Sequence, residues 1–452
     1  MKKKKLTVDH CREYIEKNLF HTSNKDRIGI ELEMMPFTCH SSEKANVFSY
    51  TPFEKTVSWL IAHAKENNWN PIKETYDGMD HVIQFTMKRK DTLTFEPGGQ
   101  LEYSSYPCSS LVDLKNRVTT IQDKLTSIFH EHRSFFVQAG INPTETVKTV
   151  GLQVKKPRYQ CMNHYFKMLS PYGQEMMRLT GAIQITLDFG HDESTLVKRY
   201  LGSQLLTPFA TAIFANSSYL GKKNTPCKGY RSRIWRHLDP SRTMFPSLKK
   251  IVQENSKASC VESYLDFVLN SNVIFIEKSG QLLPVNKNIT LKEWMDEGIN
   301  NTYPDIHDLE ICLSLLFPNV RPKGFLELRA VDCLPKKWQL IPACFFSGLL
   351  YHPESLDKTI ELLLEDIDHL PKLLALSENG LEDPGIFEKS KLLMHMSIEG
   401  YKKLPSSFRD DTLHSLMLDF YDTYTSRKKV PADSFIDYIK KHPLDYLDFF
   451  KL

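Results

Sequence analysis

The sequence predicts an α+β protein built on an antiparallel sheet. Three observations carry that reading. Short runs alternate apolar and polar residues with the two-residue period of strands, turn residues join neighbouring runs as hairpins, and the chain closes on segments of helical spacing. Strands and helices do not alternate in the βαβ manner that a parallel sheet would need.

Taken in order, Val8 to Asn18 carries the first helical signal, and RIGIELEMMPF (Arg27 to Phe37) alternates like a strand. Phe53 to Asn67 has helical spacing. HVIQFTMKRKD and TLTFEPGGQLEYS then read as a meander, and Leu111 to His132 as a long amphipathic helix. GAIQITLDFG (Gly181 to Gly190) alternates again, Leu201 to Ser217 is an apolar helix, and GFLELRAVD (Gly324 to Asp332) is another strand. Beyond His352, ESLDKTIELLLEDIDHL, HSLMLDFYDTYTS and DSFIDYIKKH are all helical. The expected division is a main unit at 1–352 and a helical C-terminal extension at 353–452 packed on it.

Composition narrows the function. The chain has 452 residues, 41% hydrophobic and 25% charged, enough to bury a core and too apolar for extensive disorder. Its +3 charge comes from 58 basic and 55 acidic residues, so no nucleic-acid partner is expected. The basic tip MKKKK leads into LTVDHCREYIEK, which lacks the apolar core of a secretory signal, and no run is long enough to span a bilayer. Nine scattered cysteines form no CxxC pair, which argues against zinc and for a reducing, cytoplasmic setting.

Four strand segments share one design. Side chains alternate across a strand, so in GIELEM Glu31 and Glu33 oppose Ile30, Leu32 and Met34. After the Pro97-Gly98-Gly99 turn, which follows Glu96, the face is Gln100, Glu102 and Ser104. In AIQITLDF it is Gln184, Thr186 and Asp188, and in FLELRAVD it is Glu327 and Arg329. Glutamate is disfavoured in strands, and none of the four faces carries a lysine. Two carboxylates about 4 Å apart repel by ~1 kcal/mol in water and ~4 kcal/mol at an effective dielectric near 20. A concave cluster therefore calls for a metal, and hard oxygen donors suit Mg²⁺ or Mn²⁺.

A second constellation is basic. YRSRIWRHLDPSRTMFP (Tyr230 to Pro246) places Arg231, Arg233, Arg236 and Arg242 around Trp235. Arginine forks match carboxylate and phosphate oxygens. No GxxxxGK[ST] or GxGxxG loop is present, so if ATP binds, it must do so through metal and arginine and not through a P-loop.

These motifs resemble the plant and proteobacterial type of glutamate–cysteine ligase, within the glutamine-synthetase-like carboxylate–amine ligases. The likeness runs from about Arg27 to His352 and rests on GIELE, FEPGGQLEYS, RYQCMNHYF, GAIQITLDF, LTPFATAIFANS, SRIWRHLDPSRT and LSLLFPNVRPKGFLELRAVD. It implies a curved antiparallel funnel with helices outside, and a reaction in which ATP activates the γ-carboxyl of L-glutamate for attack by the L-cysteine amine. It further implies Mg²⁺ or Mn²⁺ at Glu31, Glu33, Glu96, Glu102 and Glu327, with Gln184 in or beside the shell. Arg329 would stabilise the transferred phosphoryl group, and Arg233 and Arg242 would contact nucleotide or acyl-phosphate oxygens. Arg158, Met176, Met177, Arg231 and Trp235, with Gln100, would line the amino-acid pockets. A monomer or homodimer acting on small molecules is the expected assembly.

Two features depart from the plant pattern. MMRLT puts Leu179 where an arginine is expected and Arg178 one place earlier, and AVDCLP replaces a glycine-rich segment after the last arginine. A γ-glutamyl ligase for another amine, or a catalytically silent binding module, are the alternatives.

Overall fold

A computed structural model describes residues 5–41 and 46–451, so the Met1–Lys4 part of the basic tip lies outside the described residues. In chain order the strands are β1 (Ile28–Ser41), β2 (Asn46–Tyr50), β3 (Asn70–Tyr76), β4 (Met79–Thr86), β5 (Thr92–Phe95), β6 (Leu101–Ser104), β7 (Ser134–Val137) and β8 (Ala182–Leu187). Two small hairpins follow, β9 (Tyr219–Leu220) with β10 (Lys223–Asn224) and β11 (Phe275–Lys278) with β12 (Gln281–Pro284). The last pair is β13 (Val320–Pro322) and β14 (Leu326–Asp332).

Ten strands form one antiparallel sheet, in the order β13-β14-β8-β1-β6-β5-β4-β3, with β2 and β7 also pairing with the long β1. The α+β class and the antiparallel sheet are as the sequence predicts. The first helix runs from Val8 to Asn18, capped by Thr7. Its polar edge strand β3 carries no alternation of buried residues, which is why it escapes a periodicity reading. The apolar helix begins earlier than expected, at Glu193, where Asp192 accepts the Thr195 amide as an N-cap.

One face of the sheet makes the core. Ile30, Leu32 and Met34 of β1, Leu101 and Tyr103 of β6, Ile183 and Ile185 of β8, and Leu326 and Leu328 of β14 are buried together. Helix Glu193–Ile213 runs beside β14 and is buried along nearly its whole length from Leu196. The helices Pro353–Leu363, Leu370–Ser377 and Pro384–Lys403 pack on that helix, and Asp411–Thr423 packs on Ile341–Leu350. Their apolar residues, among them Leu393, Met417 and Phe420, join the same core. The opposite face of the sheet is concave and carries the acids.

Candidate active site

Register brings the acidic residues together. On β1, Glu31 lies between Ser104 of β6 and Gln184 of β8, and Glu33 lies opposite Glu102. On β14, Glu327 pairs with Thr186 of β8. Because apolar neighbours take the core side, these polar side chains share the other side, and Glu31, Glu33, Glu102, Gln184 and Arg329 line a cavity of about 410 Å³. That volume suits a small-molecule site.

Glu96 reaches the same cavity from the turn between β5 and β6. The turn closes through the Gly99 amide to Glu96 O at 2.7 Å and the Glu96 amide to Gln100 O at 2.9 Å. Gly99 has φ +84°, open to glycine at little cost. At Gly98 the requirement is space, since a Cβ there would stand 2.3 Å from the Arg178 carbonyl oxygen. Tyr50 pins the turn from outside by donating to Gly98 O at 2.9 Å, and Gln100 Nε2 donates to Thr180 O at 3.0 Å. The Pro-Gly-Gly sequence thus lets a strand turn directly against the Arg178–Thr180 backbone and bring Glu96 over Glu33 and Glu102.

Oxygens of Glu33, Glu96 and Glu102 all lie within 4.8 Å of one another. Glu33 accepts from the Ala182 amide at 3.0 Å and Gln184 Nε2 at 3.3 Å, while Glu102 accepts from Thr94 Oγ1 at 2.7 Å and Ser104 Oγ at 3.3 Å. Burial raises the carboxyls of Glu31, Glu33, Glu96 and Glu102 above the usual range. The neighbouring Glu102 adds to this at Glu31 and Glu96, and Glu33 adds to it at Glu102, while Arg231 and Arg329 oppose it at Glu33. Such a donor set, all hard oxygen and without cysteine or histidine, fits Mg²⁺ or Mn²⁺.

The facing wall is cationic. Glu327 is wholly buried and receives Arg321 Nε at 2.6 Å, Lys323 Nζ at 2.9 Å and Arg329 at 3.0 Å. Burial alone would raise its carboxyl, but Arg321, Arg329 and Lys323 outweigh burial and hold it well below the usual range. Arg329 also donates to Gln184 Oε1. Arg231 donates to the Arg329 carbonyl at 3.0 Å and lies 3.7 Å from Asp332. Arg158 is oriented by Ser314, through Oγ at 2.9 Å and the carbonyl at 2.8 Å. Met176, Met177 and Trp235 add apolar surface to the lining. Trp235 Nε1 and Gln100 Oε1 are buried without a hydrogen-bond partner in the protein, the condition expected of groups that await a ligand.

The model of glutamate–cysteine ligase family 2 matches residues 27–380. The chain belongs to this family. The chloroplastic glutamate–cysteine ligase of Medicago truncatula is 28% identical over 386 residues, 84% of this chain and 71% of that protein. The Nicotiana tabacum protein of the same name is 27% identical over 345 residues, 75% of this chain and 62% of that one. Among solved structures, the glutamate–cysteine ligase of Francisella tularensis in complex with AMP superposes with a TM-score of 0.53 at 11% identity, covering 95% of this chain and 88% of that one. The shared fold is that of the glutamate–cysteine ligases.

Within this family framework, three expected residues do not line the cavity: Glu327 is wholly buried with its oxygens on Arg321, Lys323 and Arg329, and Arg242 and Arg233 lie elsewhere. Arg242 is 1% exposed and spends its guanidinium on Asp239 at 2.6 Å, Leu315 O at 2.8 Å and Asn272 O at 2.6 Å. It ties together three segments outside the cavity, so the expectation that it meets phosphate oxygens is corrected. Arg233 sits two places from Arg231 on helix Tyr230–Arg236, which turns it off the cavity and toward Tyr172. The charge balance also differs from expectation, because the cup does not depend on metal alone. Arg321, Lys323 and Lys156 line it as well. The first two lie in the NVRPKG segment just before β14, which alternation leaves outside the acidic faces. Lys156 meets Glu74 of β3 at 3.7 Å, a long-range contact without a sequence signal.

Proposed function

We propose that this chain joins the γ-carboxyl of L-glutamate to the amine of L-cysteine, converting ATP to ADP and phosphate and giving γ-glutamylcysteine. The observation that carries the reading is the half-buried Glu33–Glu96–Glu102 triad lining one cavity with Arg321, Lys323 and Arg329, in a member of glutamate–cysteine ligase family 2. Glu33, Glu96 and Glu102 would hold Mg²⁺, with Glu31 and Gln184 beside them, while Glu327 orders Arg321, Lys323 and Arg329. Bound there, Mg²⁺ would supply positive charge against the ATP phosphate oxygens.

The chain's own groups do the rest. Hydroxide is a poor leaving group, so the γ-carboxylate first takes the terminal phosphoryl group of ATP, breaking its bond to ADP. The amine then attacks the acyl carbon and loses its proton, and phosphate departs. Phosphoryl transfer asks mainly for positioning and charge neutralisation. Arg329, with Arg321 and Lys323 beside it, answers the charge on the transferred group. Arg158 and Arg231, which line the cavity, would meet substrate carboxylates, and Met176, Met177 and Trp235 would supply an apolar wall that excludes water from the acyl phosphate.

Arg178 is turned away from the cavity. It donates to Val147 O at 2.9 Å and Asn163 Oδ1 at 2.7 Å, so it does not select the amine, and a γ-glutamyl ligase for a different amine is the second reading. Mass spectrometry of products formed from glutamate, ATP–Mg²⁺ and a panel of amines separates the two. γ-Glutamylcysteine as the dominant product, absent with Glu102→Gln, is the expected result. No described helix is long and apolar enough to cross a membrane. The nine free cysteines support a reducing, cytoplasmic setting, with the activity on the 1–352 unit and 353–452 as its packed extension.

A further inference from the structure

Arg236 belongs to the same basic segment as Arg231 but takes no part in lining the cup. Its Nε donates at 2.6 Å to Glu378, the residue that ends helix Leu370–Ser377 in the C-terminal extension. The Glu378 side chain is 4% exposed, and a carboxylate buried that deeply needs a cation beside it. The backbone of the same residue makes a second contact, since Glu378 O accepts the Gly229 amide at 2.7 Å. Gly229 is the N-cap of helix Tyr230–Arg236, and Arg236 is its last residue. One residue of the extension thus holds both ends of the helix that brings Arg231 and Trp235 to the cup. We propose that Glu378 is a positioning residue for the amino-acid pocket, through which the extension sets substrate affinity. The proposal rests on the ligase reading above.

The helix needs such a clamp. Its seven residues make about two turns, too few to keep their shape without tertiary contacts. Gly229 offers no side chain to cap the first turn. The two faces of the helix divide the work. Arg231 and Trp235, four places apart, share the side that lines the cup, with the Arg231 guanidinium 5.9 Å from the Trp235 ring. Ser232 and Arg236, the next pair four apart, line a cavity of about 180 Å³ together with Pro371 and Leu374 of helix Leu370–Ser377. That gap in the packing leaves the helix room to move, and the Arg236–Glu378 pair removes the freedom.

The extension also grips the loop that leads into this helix. Lys228 meets Asp433 at 2.8 Å and Glu382 at 3.3 Å, and the Ala432 amide donates to Ala215 O at 3.0 Å. Ala432 and Asp433 lie past residue 380, where the family match ends, so two separate parts of the extension act on one segment.

The test uses the full-length protein with fluorotryptophan in place of its five tryptophans, the Trp235 fluorine signal being assigned from Trp235→Phe. Glu378→Ala should move the Trp235 signal and leave the other four in place. In steady-state kinetics with each substrate varied in turn, it should raise the KM for at least one amino acid by about tenfold, in scale with a small displacement of a binding group. The KM for ATP and kcat should stay within about twofold. Should Glu378→Ala not fold, Glu378→Ala with Arg236→Ala strands no charge and carries the same two readouts. An unmoved Trp235 signal, or unchanged KM values for both amino acids, would overturn the inference. So would movement of all five signals with a parallel rise in the KM for ATP, which would report general damage. Wild-type protein that forms no γ-glutamyl product would overturn the ligase reading itself, and the fluorine signal alone would then decide the role of Glu378.

Discussion

Ser217 Oγ donates to Asp332 Oδ2 at 2.7 Å and accepts the backbone amide of Arg231 at 3.0 Å. The Asn216 amide reaches the same Asp332 oxygen at 2.8 Å, and the whole carboxylate is wedged against Gly140, where a Cβ would stand 2.4 Å from Asp332 Cγ. Asp332 does not itself line the cup, yet it sits behind Arg231, which does. It is a positioning residue. Asp332→Asn and Gly140→Ala should raise the KM for the amino acids by about tenfold or more, the size of a lost charge-assisted hydrogen bond, with the KM for ATP little changed. Steady-state kinetics with each substrate varied in turn checks this, since a merely structural lesion would not single out one substrate.

Neutralising a triad carboxylate should have opposite effects on activity and on stability. Glu102→Gln removes a charge that burial and Glu33 already disfavour, so in EDTA the variant should melt above wild type, by the equivalent of ~1–4 kcal/mol. Added Mg²⁺ should raise the melting temperature of wild type and not that of the variant, and ligation should be lost. Differential scanning fluorimetry with and without Mg²⁺ reads all three states.

Gly98→Ala is expected to cost about 2 kcal/mol or more, because its Cβ meets backbone on the Arg178 side that cannot swing away. The turn that carries Glu96 should shift with it, so calorimetric Mg²⁺ affinity should fall along with the melting temperature.

Arg242 should prove structural. Arg242→Gln leaves Asp239 and two carbonyls without their partner and should lower stability by about 3 kcal/mol, with kcat of the folded fraction within about twofold of wild type. The pH dependence has a definite sign. Burial works to raise the Asp239 carboxyl, but Arg242, Tyr165 and Ser241 overcome it and leave it lowered. The folded chain then binds fewer protons here than the unfolded one, so the stabilisation is present at neutral pH and drains away as pH falls below the unfolded value of ~3.9. Urea unfolding between pH 3 and 7 should show a steeper acid loss for wild type than for Asp239→Asn.

Much of this site was legible because strands have a period of two. Once Ile30, Leu32 and Met34 are assigned to the core, Glu31 and Glu33 have one direction left, and the same step places Glu102, Gln184 and Arg329. What alternation cannot supply is the partner of a charge. Arg242 and Arg231 look alike in SRIWRHLDPSRT, and only the packed structure shows that Asp239 claims one while the other faces the cup. Lys156 and Arg321 enter through tertiary contacts, and β3 is exposed along most of its length, leaving no apolar rhythm to detect.

The wiring of the cup also sets a timetable for the newborn chain. Glu31, Glu33, Glu96 and Glu102 are all made before residue 103, whereas Arg321, Lys323 and Arg329 follow about 220 residues later. At translation speeds that gap lasts roughly 10–45 s. Within it only Lys156, Arg158 and Arg231 of the cup's cations are made, so a ribosome-bound fragment ending before β13 carries more acids than counterions and should lean on dissolved divalent ions, or wait, before it can close its sheet.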